Sequence, residues 1–401
     1  MQLMKISAAV LFGGNSVEHE VSIISALQAI SAINKEKYEI HPVYITKGSE
    51  FYTGEKLFDI KAFTDIPALL KECRRVTFLT KNGKTYLADD EVKRFGKRTE
   101  TVIDVALPIV HGTNVEDGTL AGYLNQLHLP YAGCDVMASA LCMDKYFSKM
   151  VLKAAGIPVL DCLKYAAADQ LRMEEILDET EAKFGYPVIV KPVNLGSSVG
   201  ISRAADRDAL RDAVREAFTY SGRLIIEPAV QHLKEINCSV LGDCDGAEAS
   251  ECESPVNSDK ILSYEDKYMS GGKSGKTGGG SKGMADLQRE IPAKISDELR
   301  TAIRETSVRA FQALECSGVV RIDYLLDTQT GEFWLNEVNT IPGSLSFYLW
   351  KPVGLDYPEM LDRLISLALK RKRTQDETVF SFDTNLLSTF VSGSGAKGAK
   401  R

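Results

Sequence analysis

The chain has 401 residues, 44% hydrophobic and 26% charged, with a formal net charge of −7. That length allows two or three domains with a substantial core, and the balance is that of a globular protein in water. The acidic balance and the lack of a sustained basic stripe argue against a nucleic-acid binder. The eight cysteines include no CxxC pair, and Cys238, Cys244 and Cys252 have no neighbouring histidine. They read as buried thiols in a reducing compartment, not as a zinc site. The opening MQLMKISAAVLFGG is too short for a membrane span and runs straight into a glycine turn, so it reads as a first strand and not a signal peptide.

Residues 5–12 form a buried strand by pattern, 13–16 (GGNS) a turn, 21–33 a helix with Ser16 or Ser22 as its cap, and 39–45 a second strand. This is the start of a doubly wound sheet. It is not the dinucleotide fingerprint, whose three-glycine spacing is absent. Glu18-His19-Glu20 sits where the helix begins. Acidic residues there suit the helix dipole, and they equally suit a substrate ammonium. Residues 50–100 read as a peripheral hairpin turning at KNGK (81–84), with a short helix at 66–73. A buried strand at 101–110 ends in the polar loop HGTNVEDG (111–118), where open α/β sheets hold ligands. A helix follows at 120–127, then a turn at Tyr131 and Gly133. One long helix at 138–154 carries Lys145 and Lys149 and stops at GIP (156–158).

Further on, a helix at 174–184 precedes the strand PVIVKP (187–192), whose apolar run ends in Lys191. The loop NLGSSVG (194–200) brackets Ser197 and Ser198 with glycines. Its N–H groups and hydroxyls can wrap phosphate oxygens. It is not a Walker A loop, because the lysine precedes the glycines. After a helix at 208–219, the strand at 224–227 brings Glu227 to its end, and Glu235 lies in the next strand. Both carboxylates can meet a nucleotide's polar edges or face solvent. The low-propensity stretch 257–290 contains YEDKY (264–268) and GGKSGKTGGGSKG (271–283) and reads as a lid. A helix at 298–314 leads to strands at 319–326 and 332–337 joined by a polar turn. Glu337 and Asn339, two residues apart, share a strand face, and Asp323 can join them from the neighbouring strand. Two carboxylates and an amide oxygen without Cys or His make a hard oxygen site suited to Mg²⁺. Arg321 can pair with a carboxylate or contact a phosphate. GSLSFYLW (343–350), a helix at 358–369, a basic flank at 370–373 and a polar tail complete the chain.

Seven of these segments, LFGGNSVEHEVS (11–22), HGTNVEDGTLAGYL (111–124), LPYAG with MDKYFSK (129–149), VIVKPVNLGSSVGIS (188–202), YEDKY (264–268), RIDYLL (321–326) and NEVNTIPG (336–343), occur together in order. Together they resemble the D-alanine–D-alanine ligase family of ATP-grasp enzymes. The resemblance implies an α/β chain: an N-terminal doubly wound-like domain (1–135) that binds the first substrate, then a two-part ATP-grasp module. Its parts would be 136–227 and 228–372, with the lid at 257–290, followed by a tail at 373–401. It implies that the carboxylate of one D-alanine attacks ATP to give an acylphosphate, which the amine of a second then attacks, in peptidoglycan precursor synthesis. By motif, Glu18 holds the first ammonium, and Lys145, Lys191, Ser197 and Lys267 contact ATP. Glu227 marks the adenine hinge and Glu235 the ribose. Ser198 and Tyr268 form a hydrogen-bonded group with Glu18. Arg321 and the Gly343 N–H stabilise the transferring phosphoryl group and the tetrahedral intermediate. Asp323, Glu337 and Asn339 hold two Mg²⁺, with Mn²⁺ as a substitute. A cytoplasmic homodimer is expected.

The chain departs from the family pattern at Val115 and Ala121, where Gly and Gln are usual. It departs again at Leu345 and Tyr348, where Thr and the acceptor-binding Ser are usual. Ser346, Tyr348 and Leu349 are therefore the expected acceptor pocket. This leaves D-serine, D-lactate or another small amine beside D-alanine as acceptors, with a non-catalytic nucleotide-binding protein as the remaining alternative.

Overall fold

The computed structural model describes residues 5–91, 98–196, 199–255 and 289–379. Its first sheet is built around β1 (Ile6–Gly13), in which Ala8 to Phe12 are fully buried. An unbroken apolar run of this kind suits a parallel strand covered on both faces. β2 (Tyr38–Ile45) lies parallel on one side of β1, across the helix His19–Ala32, and β7 (Val105–Pro108) lies parallel on the other. Beyond β2 the sheet turns antiparallel through β3 (Phe51–Thr53), β4 (Arg74–Lys81), β5 (Lys84–Asp89) and β6 (Glu100–Ile103). The doubly wound character expected of this region is thus confined to β7-β1-β2. The 81–84 hairpin is an integral part of the sheet, turning on Asn82 and Gly83 at positive φ.

The single strand expected at 101–110 is two. Asp104 separates β6 from β7, accepts the Ser7 N–H at 2.8 Å and returns its own N–H to the Ser7 carbonyl at 2.8 Å. There the chain changes partner from β5 to β1, so the two outer strands of the sheet are consecutive in sequence. The expected cap of the first helix is also different. Glu18 is the N-cap residue and neither serine caps it. Ser22 Oγ accepts the Gly13 N–H at 2.8 Å and donates to the Ile109 carbonyl at 2.5 Å, tying two strand ends together.

The long helix expected at 138–154 divides into Val136–Met143 and Lys145–Ala154. Asp144 has extended backbone angles, and its Oδ1 accepts the N–H groups of Tyr146 and Phe147 at 3.0 and 3.1 Å. This N-cap starts a new helix at Lys145. The second sheet is antiparallel, β10 (Ser202–Ala204), β9 (Val188–Pro192), β11 (Arg223–Pro228), β8 (Leu163–Ala166) in order. Its core packs against helices Met173–Phe184 and Arg207–Tyr220.

The third sheet is also antiparallel, in the order β14 (Arg289–Glu290), β13 (Gly246–Pro255), β12 (Leu233–Asp243), β15 (Gly318–Asp327), β16 (Phe333–Asn339). The helix Asp297–Ala313 shares its core. The last described helix, Tyr357–Asp376, absorbs the basic residues read as a flank and passes the expected start of the tail. Lys370 pairs with Asp243 and Asp245, and Arg371 donates to the carbonyls of Tyr131 and Gly133 at 2.6 and 2.8 Å. All eight cysteines are free thiols, five of them buried, with Cys244 exposed. Among the described residues no helix is long and apolar enough to cross a membrane.

Candidate active site

The register of the last hairpin sets Arg321 opposite Asn339 and Asp323 opposite Glu337, so all four share one face. A register shift between Asp323 and Tyr324 leaves Asn336 as the bulged residue of β16. A bulge lets two successive side chains serve one side of a sheet. Here Asn336 Oδ1 accepts from Lys191 Nζ at 2.8 Å while Glu337 Oε2 lies 3.6 Å from Lys145 Nζ. Arg321 grips Asp323 through both Nε and Nη2, at 2.6 and 2.7 Å, and Asn339 Nδ2 donates to Asp323 Oδ2 at 3.0 Å. Although burial works against the guanidinium, the Asp323 carboxylate drives its pKa further up, so Arg321 is a fixed cation. As a donor set, Asp323, Glu337 and Asn339 fit a hard divalent ion. The carboxylates now answer to Arg321 and Lys145, cations that Mg²⁺ would replace.

Facing this hairpin is the second sheet. Glu227 on β11 is fully buried, and Lys191 on β9 donates to its Oε1. Lys149 Nζ lies 3.0 Å from the other oxygen. Burial would raise the Glu227 pKa, but the two ammonium groups outweigh it and hold it at about 2. This carboxylate is the counter-ion of two lysines. One helical turn before Lys149, Lys145 is 7% exposed and donates to the Leu195 carbonyl at 2.6 Å. Burial lowers its pKa, with Glu337 opposing. Glu235 is half-buried on β12 opposite Leu325, on the face that carries Asp323.

The N-terminal sheet supplies a third wall. His19, fully buried, donates from Nδ1 to the Gly14 carbonyl at 2.6 Å and accepts from Tyr44 at 2.8 Å, which orders the turn before Glu18. A Cβ on Gly112 would stand 3.2 Å from Glu18 Oε2, and one on Gly196 3.8 Å away. Both loops therefore approach this carboxylate closely. Glu116 binds the N–H groups of Gly112 and Ile341 through its two oxygens, at 2.7 and 3.2 Å. Burial, reinforced by the charge of Glu18, pushes its pKa up to about 8. His111 donates from Nδ1 to the Ile341 carbonyl at 2.7 Å, and its Nε2 accepts from Ser25 Oγ at 3.0 Å. Ser25 Oγ in turn accepts the Ser344 N–H at 2.9 Å. Burial lowers the His111 pKa, in keeping with this neutral tautomer.

That network fixes the turn Gly343–Leu349, where Ser344, Leu345 and Ser346 all take left-handed backbone angles, at φ of 53°, 51° and 51°. Three such residues in succession are costly without glycine and need surroundings that hold them. Ser346 and Leu349 are buried, and Tyr348 is half-buried. The Tyr348 phenol is bound by Arg289, whose guanidinium lies 4.1 Å above the ring and pairs with buried Glu253 at 2.8 Å. Val115, Ala121 and Leu345, three departures noted in the sequence, are all buried in apolar clusters. Their side chains serve packing.

Two family descriptions match the chain: "D-ala D-ala ligase N-terminus" over residues 7–134 and "D-ala D-ala ligase C-terminus" over 151–366. The chain belongs to the D-alanine–D-alanine ligase family. A D-alanine–D-alanine ligase of Thermosipho melanesiensis is 36% identical over 96% of this chain and 99% of its own length. One of Caldicellulosiruptor bescii is 38% identical over 94% and 99%. Among solved structures, a D-alanine–D-alanine ligase from Coxiella burnetii superposes with a TM-score of 0.75 at 28% identity, covering 96% of this chain and 98% of that one. The VanG D-Ala:D-Ser ligase from Enterococcus faecalis does so with 0.74 at 32%, covering 91% and 100%.

Within the ligase family frame, Glu18, Lys145, Lys191, Glu227, Arg321, Asp323, Glu337, Asn339 and Gly343 come from separate parts of the chain to one junction. Ser197, Ser198, Lys267, Tyr268 and the expected lid up to residue 288 lie outside the described residues. Sequence reasoning missed Lys149, Asn336, Glu116, His111 and the Glu253–Arg289 pair. Lys149 repeats one turn after Lys145, and Glu116 and His111 stand in the polar loop already singled out, so a signal existed for those three. Asn336 depends on a bulge and Glu253–Arg289 on a long-range pairing, neither of which leaves a local trace.

Proposed function

We propose that this chain joins two molecules of D-alanine into D-alanyl-D-alanine for peptidoglycan precursor synthesis, with ATP converted to ADP and phosphate. The observation that carries the reading is the junction itself. Lys145, Lys191 and Arg321 meet the oxygen donors Asp323, Glu337 and Asn339 where the second and third sheets face one another. The Ser16 hydroxyl ties Glu18 to the neighbouring loop, accepting the Glu18 N–H at 3.2 Å and donating to the His111 carbonyl at 2.7 Å. Phosphoryl transfer is chiefly a matter of positioning and charge neutralisation, and this arrangement provides both.

In this reading Glu18 holds the ammonium of the first D-alanine, leaving its carboxylate free to attack the γ-phosphorus. The P–O bond to ADP breaks as the acylphosphate forms. The uncharged amine of the second D-alanine then attacks the acyl carbon, phosphate leaves with its electron pair, and the amine gives up a proton. Lys145 and Lys191 neutralise the triphosphate. Arg321, assisted by the Gly343 N–H, stabilises the transferring phosphoryl group and then the tetrahedral carbon. Asp323, Glu337 and Asn339 would hold two Mg²⁺, which supply charge neutralisation at the phosphates. Glu235 serves the ribose, while Ser346, Tyr348 and Leu349 shape the acceptor pocket. Ser197, Ser198, Lys267 and Tyr268 keep the roles implied by their motifs. The names of the two ligases at 36% and 38% identity favour D-alanine as acceptor, while the name of the VanG structure keeps D-serine as the alternative. A cytoplasmic homodimer completes the proposal.

The test is ADP release in Mg-ATP with D-alanine as the sole amino acid, with the product identified by mass. D-alanyl-D-alanine formed in step with ADP supports the reading. ADP release that requires a second, different amine would move the acceptor assignment. No amino-acid-dependent release with any small D-amino acid would remove the reading altogether.

A further inference from the structure

Lys149 has no place in the reaction as described, yet it is one of the most enclosed charges in the molecule, with 3% side-chain exposure. Its helix, Lys145–Ala154, sends two lysines in different directions. Lys145 reaches the Leu195 carbonyl and Glu337, at the mouth of the junction. Lys149 points inward, and its Nζ lies 3.3 Å from the Leu160 carbonyl and 3.0 Å from Glu227 Oε2. Glu227 is wholly buried and shared with Lys191, whose only other described hydrogen bond is to Asn336 Oδ1. The cluster therefore holds one carboxylate and two ammonium groups.

A buried carboxylate cannot be left without a cation. If Lys191 were the sole partner of Glu227, moving its ammonium to a phosphate would strand that charge. With Lys149 permanently on the other oxygen, Lys191 can leave. Resting on the reading of Lys191 as a phosphate ligand, we infer that Lys149 is a positioning residue that neutralises Glu227 and thereby keeps Lys191 available to ATP. Lys149 itself does not touch the nucleotide. With both ammonium groups in place the Glu227 pKa is held at about 2.

The test compares Lys149→Met, Lys149→Arg, the double variant Lys149→Met/Glu227→Gln, and Lys191→Met. For each, the affinity for a non-transferable ATP analogue with Mg²⁺ is titrated, and KM for ATP and KM for D-alanine are measured. Lys149→Met is expected to weaken analogue binding, and raise KM for ATP, by about tenfold or more, the scale of one charge-assisted hydrogen bond. KM for D-alanine stays near the parent value. Lys149→Arg, which keeps the charge, stays within about threefold of the parent. The double variant, which removes the stranded carboxylate along with its cation, recovers most of the lost affinity.

A structural role alone would not produce that recovery. Parental ATP affinity in Lys149→Met, equal impairment in Lys149→Arg, or a double variant no better than the single one would each overturn the inference. If Lys149→Met does not fold, the arginine and double variants decide in the same way. Unchanged analogue binding in Lys191→Met would overturn the ATP-site reading and the inference with it. Loss in Lys191→Met without loss in Lys149→Met overturns the inference alone.

Discussion

Arg321 and Glu116 show how single side chains are tuned by what they touch. The guanidinium of Arg321 is fixed by a two-pronged bond to Asp323. Lysine at this position keeps a charge but loses the planar fork. Arg321→Lys should lower kcat on the order of 10²-fold, as loss of a transition-state donor does, with a smaller change in ATP affinity; steady-state kinetics with analogue titration checks both. Glu116 has its pKa raised, from an ordinary 4.5 to about 8, through burial and then Glu18. The folded protein holds this proton more tightly than the unfolded chain does. Its contribution to stability is therefore full below pH 4.5 and is lost as pH rises towards about 8. Glu116→Gln has no proton to lose, so its melting temperature should fall less than the parent's between about pH 5 and about pH 8. An equal fall in both proteins would show that Glu116 titrates normally. Asp323, Glu337 and Asn339 were legible in the sequence because polar residues interrupt alternating apolar strands. Asn336 was not, since only the register shift opposite Asp323 and Tyr324 turns it towards Lys191.

At the scale of elements, the informative differences are breaks that apolar periodicity cannot show. The pattern from 138 to 154 is continuous, yet Asp144 stops one helix and caps the next. Its other oxygen pairs with Arg223 on β11 at 2.7 Å. Asp144→Ala should cost about 1–2 kcal/mol of unfolding free energy through the lost cap, read by urea denaturation. It should also weaken ATP binding, because the helix it starts begins with Lys145. Unchanged stability would mean that the capping bonds contribute nothing net. Similarly, 101–110 is apolar throughout, but Asp104 answers the Ser7 N–H and the strand changes partners. The interior strands β1 and β9 were legible because each is an apolar run bounded by glycine or proline, and β15 because buried apolar residues alternate along it. The left-handed turn at Ser344–Ser346 was not, since those residues seldom adopt it and the bonds that hold it come from Ser25 and His111, far away in sequence.

Across the whole molecule, three sheets contribute one wall each to a single junction, and no wall is sufficient by itself. The N-terminal sheet brings Glu18, the second sheet Lys191 with Lys145 on the neighbouring helix, and the third the oxygen donors and Arg321. The order of motifs along the chain was enough to infer the assembly through a family resemblance, but their convergence is a property of the fold alone. The central claim is that the carboxylate of the first D-alanine attacks the γ-phosphorus of ATP. D-Alanine labelled with ¹⁸O in its carboxylate tests it directly. One labelled oxygen should appear in the inorganic phosphate for each D-alanyl-D-alanine formed, as read by mass spectrometry. Dipeptide formation with unlabelled phosphate would contradict the acylphosphate route and the roles assigned here to Arg321 and Lys191.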